Sequence, residues 1–268
     1  MRTAIRILAV SLACVSWLPA AHAQADSAQE NAGQNDDITW AIGAGGMRSP
    51  AWLGSSRTHY DFLPYFAFNW RDIVELNVTD GLHIDLLRGS AWHGGLTGTW
   101  RRGRSSRDLG TLAKAGVATL SNTWQAGAYL EHTPVKNLTL GISLSHDLRS
   151  TGAAYGDVYI EWDIPVPKPV EHSLKLNLEF MNRSAMRRYF SVPTGPAAAL
   201  GVQAYQPSAG ASGTSLSYEA FLPTSHSTGF ALGLHWTQLA SKPAASPLVR
   251  NYGSKTQRTY FMAFLVHF

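Results

Sequence analysis

Cysteine is almost missing from this sequence: Cys14 is the single one in 268 residues, and it lies in a stretch that reads as a removable leader. The remainder therefore has no disulfide, no cysteine metal site and no thiol nucleophile. Charge is scarce too, with 15% Asp, Glu, Lys and Arg. Beyond the leader no run approaches the roughly 18 consecutive apolar residues of a membrane helix. There is no His-Glu-x-x-His helix, no phosphate loop and no Gly-x-Ser-x-Gly elbow, so no metal, cofactor or enzyme activity is expected. Loss of Arg2 and Arg6 with the leader lowers the net charge from +4 to +2, which is no nucleic-acid footprint. What is plentiful is apolar residues (45%), 24 glycines and 29 aromatics, interleaved with polar residues as a two-faced wall requires.

Arg2 and Arg6, the apolar stretch 7–18 and Ala21-His22-Ala23 have the order of a secretory signal peptide, placing residues 1–23 in a cleaved leader. Cleavage before Cys14, as in a lipoprotein, is the alternative, but Ser11-Leu12-Ala13 fits that poorly. Residues 24–37 are polar and acidic and read as a disordered periplasmic tail. Residues 38–268 then carry strand signals throughout. Leu138, Leu140, Ile142 and Leu144 alternate with Thr139, Gly141, Ser143 and Ser145. Val158, Ile160, Trp162 and Ile164 alternate with Asp157, Tyr159, Glu161 and Asp163, and Leu174, Leu176, Leu178 and Phe180 with Ser173, Lys175, Asn177 and Glu179. No helical period fits such runs; lipid on one face and a lumen on the other does. Asp157, Glu161, Lys175 and Glu179 are the candidate lumen charges. A structural network among them is favoured over a permeation site, because charges inside a narrow barrel need partners.

Other segments follow suit. Ile38 to Ala44 and Phe62 to Phe68 alternate, Pro64 weakening the second, and Asp80-Gly81 marks a hairpin between two short strands. Trp92 and Trp100 lie eight residues apart on one face, roughly 26 Å at about 3.3 Å per residue. A strand tilt of about 40° makes that roughly 20 Å of height, near the spacing of two aromatic girdles about 25 Å apart. Residues 181–213 read mainly as a loop, with a short strand conceivable at 200–205, and Leu216 to Trp236 as a hairpin. The expected fold is all-β: an antiparallel transmembrane barrel of twelve strands, with ten or fourteen also meeting the requirement for an even number.

At the carboxy end Tyr260, Met262, Phe264, Val266 and Phe268 form an apolar row ending in a terminal aromatic. In a soluble protein such an edge invites aggregation. The row resembles the signal by which the barrel-assembly machinery receives outer-membrane proteins, and places the chain in the cell outer membrane.

Short links at 133–137, 165–169 and 224–228 belong on the periplasmic side, and the long ones, 47–59, 101–122, 181–213 and 239–255, outside. The long loops carry Pro50-Ala51-Trp52-Leu53-Gly54-Ser55, Arg102-Gly103-Arg104, Tyr189-Phe190-Ser191-Val192 and Ala244-Ala245-Ser246-Pro247-Leu248-Val249. Together these resemble the MipA/OmpV family, from about Trp40 to Phe268. The family pattern has Tyr in place of Trp52, Gly in place of Ser191, and Gly-Asp in place of Ser241-Lys242. The resemblance implies an outer-membrane barrel that brings a murein hydrolase and a murein synthase together, with periplasmic murein enzymes as partners. It leaves one tension, since the motif loops lie outside.

Two further readings come from the residues. Arg101, Arg102, Arg104 and Arg107 form a basic run that suits the phosphates of lipopolysaccharide, or is plain solvated loop charge. His146-Asp147 imitates part of a catalytic triad but reads better as a strand end. A scaffold barrel with a filled lumen is therefore expected, the alternative being a small channel or receptor for a solute or envelope ligand.

Overall fold

The computed structural model describes residues 38–78, 81–149, 152–165 and 170–268. The expected leader and tail, and Asp80 of the expected Asp80-Gly81 turn, fall outside the described residues. Twelve strands close into an antiparallel barrel, each pairing with its sequence neighbours and the last with the first. They are β1 (Ile38–Pro50), β2 (Thr58–Trp70), β3 (Val74–Asn77), β4 (Gly81–Arg88), β5 (Trp92–Arg101) and β6 (Thr123–Val135). The rest are β7 (Leu138–Asp147), β8 (Ala154–Asp163), β9 (Glu171–Met181), β10 (Gly210–Pro223), β11 (Thr228–Leu239) and β12 (Thr256–His267). Among the described residues no helix is long and apolar enough to cross a membrane.

Period-two alternation is the cause of the wall. On β12 Tyr260, Met262 and Phe264 face outward while Phe261, Ala263 and Leu265 are buried inside. The terminal residue completes closure: Phe268 exchanges backbone hydrogen bonds with Trp40, and the two rings stack 4.2 Å apart. Trp92 and Trp100 sit at opposite ends of β5, the first stacked on His132 and the second edge-on to Trp124. These pairs mark the two girdles, with apolar side chains exposed to lipid between them.

The lumen has two unlike halves. Along β1, β2, β11 and β12 it is lined by Ala41, Met47, Leu63, Tyr65, Ala231, Phe261, Ala263 and Leu265, with Phe221 of β10, in one apolar cluster. Glycine makes room for rings there and opposite: a Cβ on Gly233 would stand 1.8 Å from the Phe261 ring, and one on Gly141 2.0 Å from that of Tyr159. Along β6 to β9 the lining is charged.

The wall extends further, and the loops are shorter, than the sequence suggested. β1 runs to Pro50 and β2 starts at Thr58, so the first loop is only residues 51–57. No strand forms at 200–205; Tyr205 makes one isolated bridge to Val192. The other outer loops hold short helices: α1 (Ser106–Leu109), α2 (Thr111–Lys114), α3 (Arg183–Phe190), α4 (Thr194–Leu200), α5 (Ser241–Ala245) and α6 (Pro247–Tyr252). Local cues for α3 and α4 exist. Asn182 caps α3 by accepting from Ala185 N at 2.9 Å, and Gly201 ends α4 in the left-handed conformation (φ 65°).

Candidate functional site: a capped mouth above a charged lumen

The four motif segments, far apart in sequence, meet over the outer mouth. Ala51 and Trp52 from the first loop, Leu109, Leu112 and Val117 from the third, Val192 and Ala197, and Leu248 of α6 form one buried cluster. A second joins Leu53, Met186, Tyr189, Phe190 and Val249 to the strand ends at Tyr155, Met181 and Leu239. Met186, Phe190 and Leu248 are each 0% exposed. The mouth is thus filled by side chains packed as in a protein interior.

Polar ties lock this cap. Arg104 is buried, its Nε donating to Ala118 O at 3.0 Å and its Nη1 to Tyr189 O at 2.8 Å. Burial pushes its guanidinium down to about 10, which leaves it a cation at neutral pH. Ser246 Oγ donates to Phe190 O at 2.7 Å. Gly103 lies so close to Leu120 that a Cβ would stand 1.8 Å from its carbonyl oxygen. Pro50 ends β1 and is buried, and Pro247 opens α6 at its first turn. Ser55 bridges to Gly253, and the Gln257 side chain accepts from Gly54 N at 3.1 Å and donates to Ser55 O at 3.2 Å. Gly54 itself has φ 100°, and a Cβ there would approach Val249 Cγ2 to 2.7 Å. Gly54→Ala is accordingly expected to destabilise the barrel by about 1–3 kcal/mol, read as a lower urea midpoint with unchanged slope.

The basic run at 101–107 does not form a cluster. Arg101 points into the lumen with its guanidinium 3.8 Å from the Tyr155 ring centroid, and Arg104 is buried in the cap. Arg102 pairs with Asp61 across the wall at 2.8 Å, leaving Arg107 exposed. Strand alternation and cap packing separate what the sequence places side by side. Lys242, in α5, donates to the Ala209 carbonyl just before β10, so it ties one long loop to another through backbone.

Below the cap Asp157, Glu161, Lys175 and Glu179 all face inward on β8 and β9 and are buried. Lys175, 2% exposed, pairs across strands with Glu161, Nζ to Oε2 at 3.2 Å, and its ammonium lies 3.9 Å from the Tyr159 ring centroid. Tyr159 in turn donates to Glu131 Oε1 at 2.7 Å. Ser143 donates to Asp157 at 2.5 Å, and Ser215 to Glu179 at 2.8 Å. Asp147, beside the suspected His146, instead takes Gln125 at 2.7 Å and Arg188 at 3.2 Å. Glu131 and the serines were missed because a charge partner on a neighbouring strand is set by register.

Register also assembles a group that sequence order hid. Ser49 and His59 are partners across the β1–β2 hairpin, with Ser49 Oγ 3.3 Å from His59 Nε2 and Asp61 Oδ2 2.6 Å from the same nitrogen. A nucleophile relay needs serine and acid on opposite ring nitrogens. Sharing one nitrogen, with Arg102 on the same carboxylate, makes this a polar clasp. Among the described residues no group of three or more His, Asp or Glu converges as a metal site.

The profile of the family described as MltA-interacting protein MipA matches residues 42–268. The chain belongs to the MipA family. No curated protein matches it in sequence. Among solved structures it is similar to the NanC porin (9% identity, TM-score 0.42, covering 85% of this chain and 98% of that one). A bacterial polysaccharide outer membrane secretin gives 10% identity and TM-score 0.41, over 88% and 99% of the two chains. OprD of Pseudomonas aeruginosa gives 9% and 0.34, over 77% and 55%. This MipA-family chain is an outer-membrane barrel protein.

Proposed function

We propose that this barrel is a sealed platform that holds murein hydrolase and synthase enzymes at the inner face of the outer membrane. The observation that carries this reading is the cap, whose Met186, Phe190 and Leu248 are fully buried and fill the mouth. The family motifs then serve to build and close the barrel, which removes the tension of their lying outside. Partner contacts fall to the opposite rim, at the turns around Arg71 and Lys136, both exposed. Arg71 has φ 53° and its carbonyl accepts from Arg88 Nη2 at 3.1 Å, so that turn is held in one shape.

The test pairs two measurements on the refolded protein. In planar bilayers it is expected to be silent. A purified lytic transglycosylase is expected to bind it, and the double variant R71E/K136E to lower that affinity about tenfold or more. Stable openings that change with Lys175→Ala would displace the platform by the channel reading, and equal binding to the variant would remove the turns as the contact surface.

A further inference from the structure

The long loop between β5 and β6 holds a groove that the cap leaves open. It encloses about 540 Å³, within the range of about 300–1,000 Å³ usual for small-molecule sites. One wall is the turn that follows Arg102 and the other is residues 119–122. Both walls are fixed. Arg104 and Leu120 exchange backbone hydrogen bonds at 3.0 and 2.9 Å, and Asn122 Oδ1 accepts from Gly103 N at 2.8 Å. Asp108 Oδ2 accepts from Ser105 N at 2.7 Å while Ser105 Oγ accepts from Asp108 N at 3.2 Å. The groove is therefore formed before anything enters it, which lowers the cost of binding.

Within this frame several polar groups are unused. Asn122 Nδ2 and the hydroxyls of Ser106, Thr119 and Ser121 have no hydrogen-bond partner among the described residues, and all four residues are exposed. Asp108 Oδ1 has only Arg102 Nη2, at 3.9 Å, beyond hydrogen-bond reach. The cations, by contrast, are taken. Arg102 pairs with Asp61 at 2.8 Å, and Arg104 donates to the Ala118 and Tyr189 carbonyls. Of the residues lining the groove only Leu120 has an apolar side chain. A ligand that fits is polar, uncharged and rich in groups that both donate and accept.

The height of the groove adds to this. Trp100 and Trp124 are register partners at the outer girdle. Asn122 is exposed, Thr123 is buried and Trp124 is 54% exposed, so Asn122 continues the outward face of Trp124. Two residues separate them, about 7 Å at about 3.3 Å per residue. The groove thus stands just above the girdle, with the Trp124 ring beneath it to meet the apolar C–H side of a sugar ring.

We propose that the groove binds a short neutral saccharide. Asn122 Nδ2 donates to a sugar oxygen, Asp108 Oδ1 accepts from a sugar hydroxyl, and the hydroxyls of Ser106, Thr119 and Ser121 take either part. The headgroup of an outer-leaflet glycolipid and a free oligosaccharide outside the cell offer the same chemistry. The site lies on the opposite side of the membrane from the turns at Arg71 and Lys136 and does not depend on the platform reading.

The test titrates the refolded protein in detergent with dephosphorylated core oligosaccharide released from lipopolysaccharide, followed by saturation-transfer NMR. Heat-modifiable migration shows that each variant has folded. The wild type is expected to bind saturably and T119V/N122D about tenfold more weakly, since two hydrogen-bonding groups are lost while the acceptor for Gly103 N is kept. If that variant does not fold, S106A and T119V singly replace it, each expected to lose about threefold. R187A/R250A, changed at exposed arginines elsewhere on the cap, is expected to match the wild type. The same titration in bilayers separates the sources: added glycolipid weakens binding of the free oligosaccharide where a lipid headgroup fills the groove, and leaves it unchanged where soluble sugar is the ligand. Equal affinity in the wild type and T119V/N122D overturns the proposal. So does an absence of saturable binding in detergent, and so does displacement of the oligosaccharide by an equal concentration of inorganic phosphate.

Discussion

Phe190→Ala is expected to cost about 3–5 kcal/mol of stability, because it removes a ring that is 0% exposed from the centre of the cap. The ring bridges helix α3 to strand ends and to residues of the first and last outer loops, so the space left cannot close by a local shift. The cap should loosen as one unit. Chemical unfolding in detergent would show a lower midpoint, and limited proteolysis would cut residues 51–57 and 240–255 together and faster than in the wild type. Brief openings in planar bilayers should appear where the wild type is silent. Faster cutting near residue 190 alone, with the first loop unchanged, would show that the loops fold independently and that the mouth is not sealed by a shared core.

The second large effect belongs to the lumen. Lys175→Ala is expected to destabilise by about 3–5 kcal/mol, because it leaves Glu161 buried without its cation at 3.2 Å. Most of that loss is the cost of an orphaned charge. Lys175→Met with Glu161→Leu should therefore recover most of it, since a buried pair replaced by apolar groups of similar volume is often neutral. The ammonium also lies over Tyr159, a contact that methionine keeps in part through its sulfur. Equilibrium urea unfolding of the single and double variants decides it: equal destabilisation in both would mean that the pair itself, and not the uncompensated acid, carries the energy. Added salt should change the single-variant result little, because buried charges are poorly screened.

These expectations rest on different levels of information. The barrel wall was legible because alternation is local: Val158 to Ile164 and Leu174 to Phe180 need no knowledge of their partners to show an apolar face. The helices of the outer loops were not, since the longest, Arg183–Phe190, has eight residues, too few to display a helical period against prolines and glycines. Asn182 and Gly201 did carry capping cues. The run from Arg101 to Arg107 misled because adjacency along the chain is not adjacency in space: successive strand residues face opposite sides, and Arg104 lies past the strand end, in the cap core.

The sequence by itself determined the fold class and the inward row of Asp157, Glu161, Lys175 and Glu179, both consequences of a two-residue period, and left twelve strands as one of three even counts until the closed sheet settled it. Only the tertiary structure decided that four distant loops share one buried core and that Ser49, His59, Asp61 and Arg102 meet. Each of these depends on strand register and loop packing, which arise from contacts between segments far apart in the chain and leave no periodic trace within any one of them.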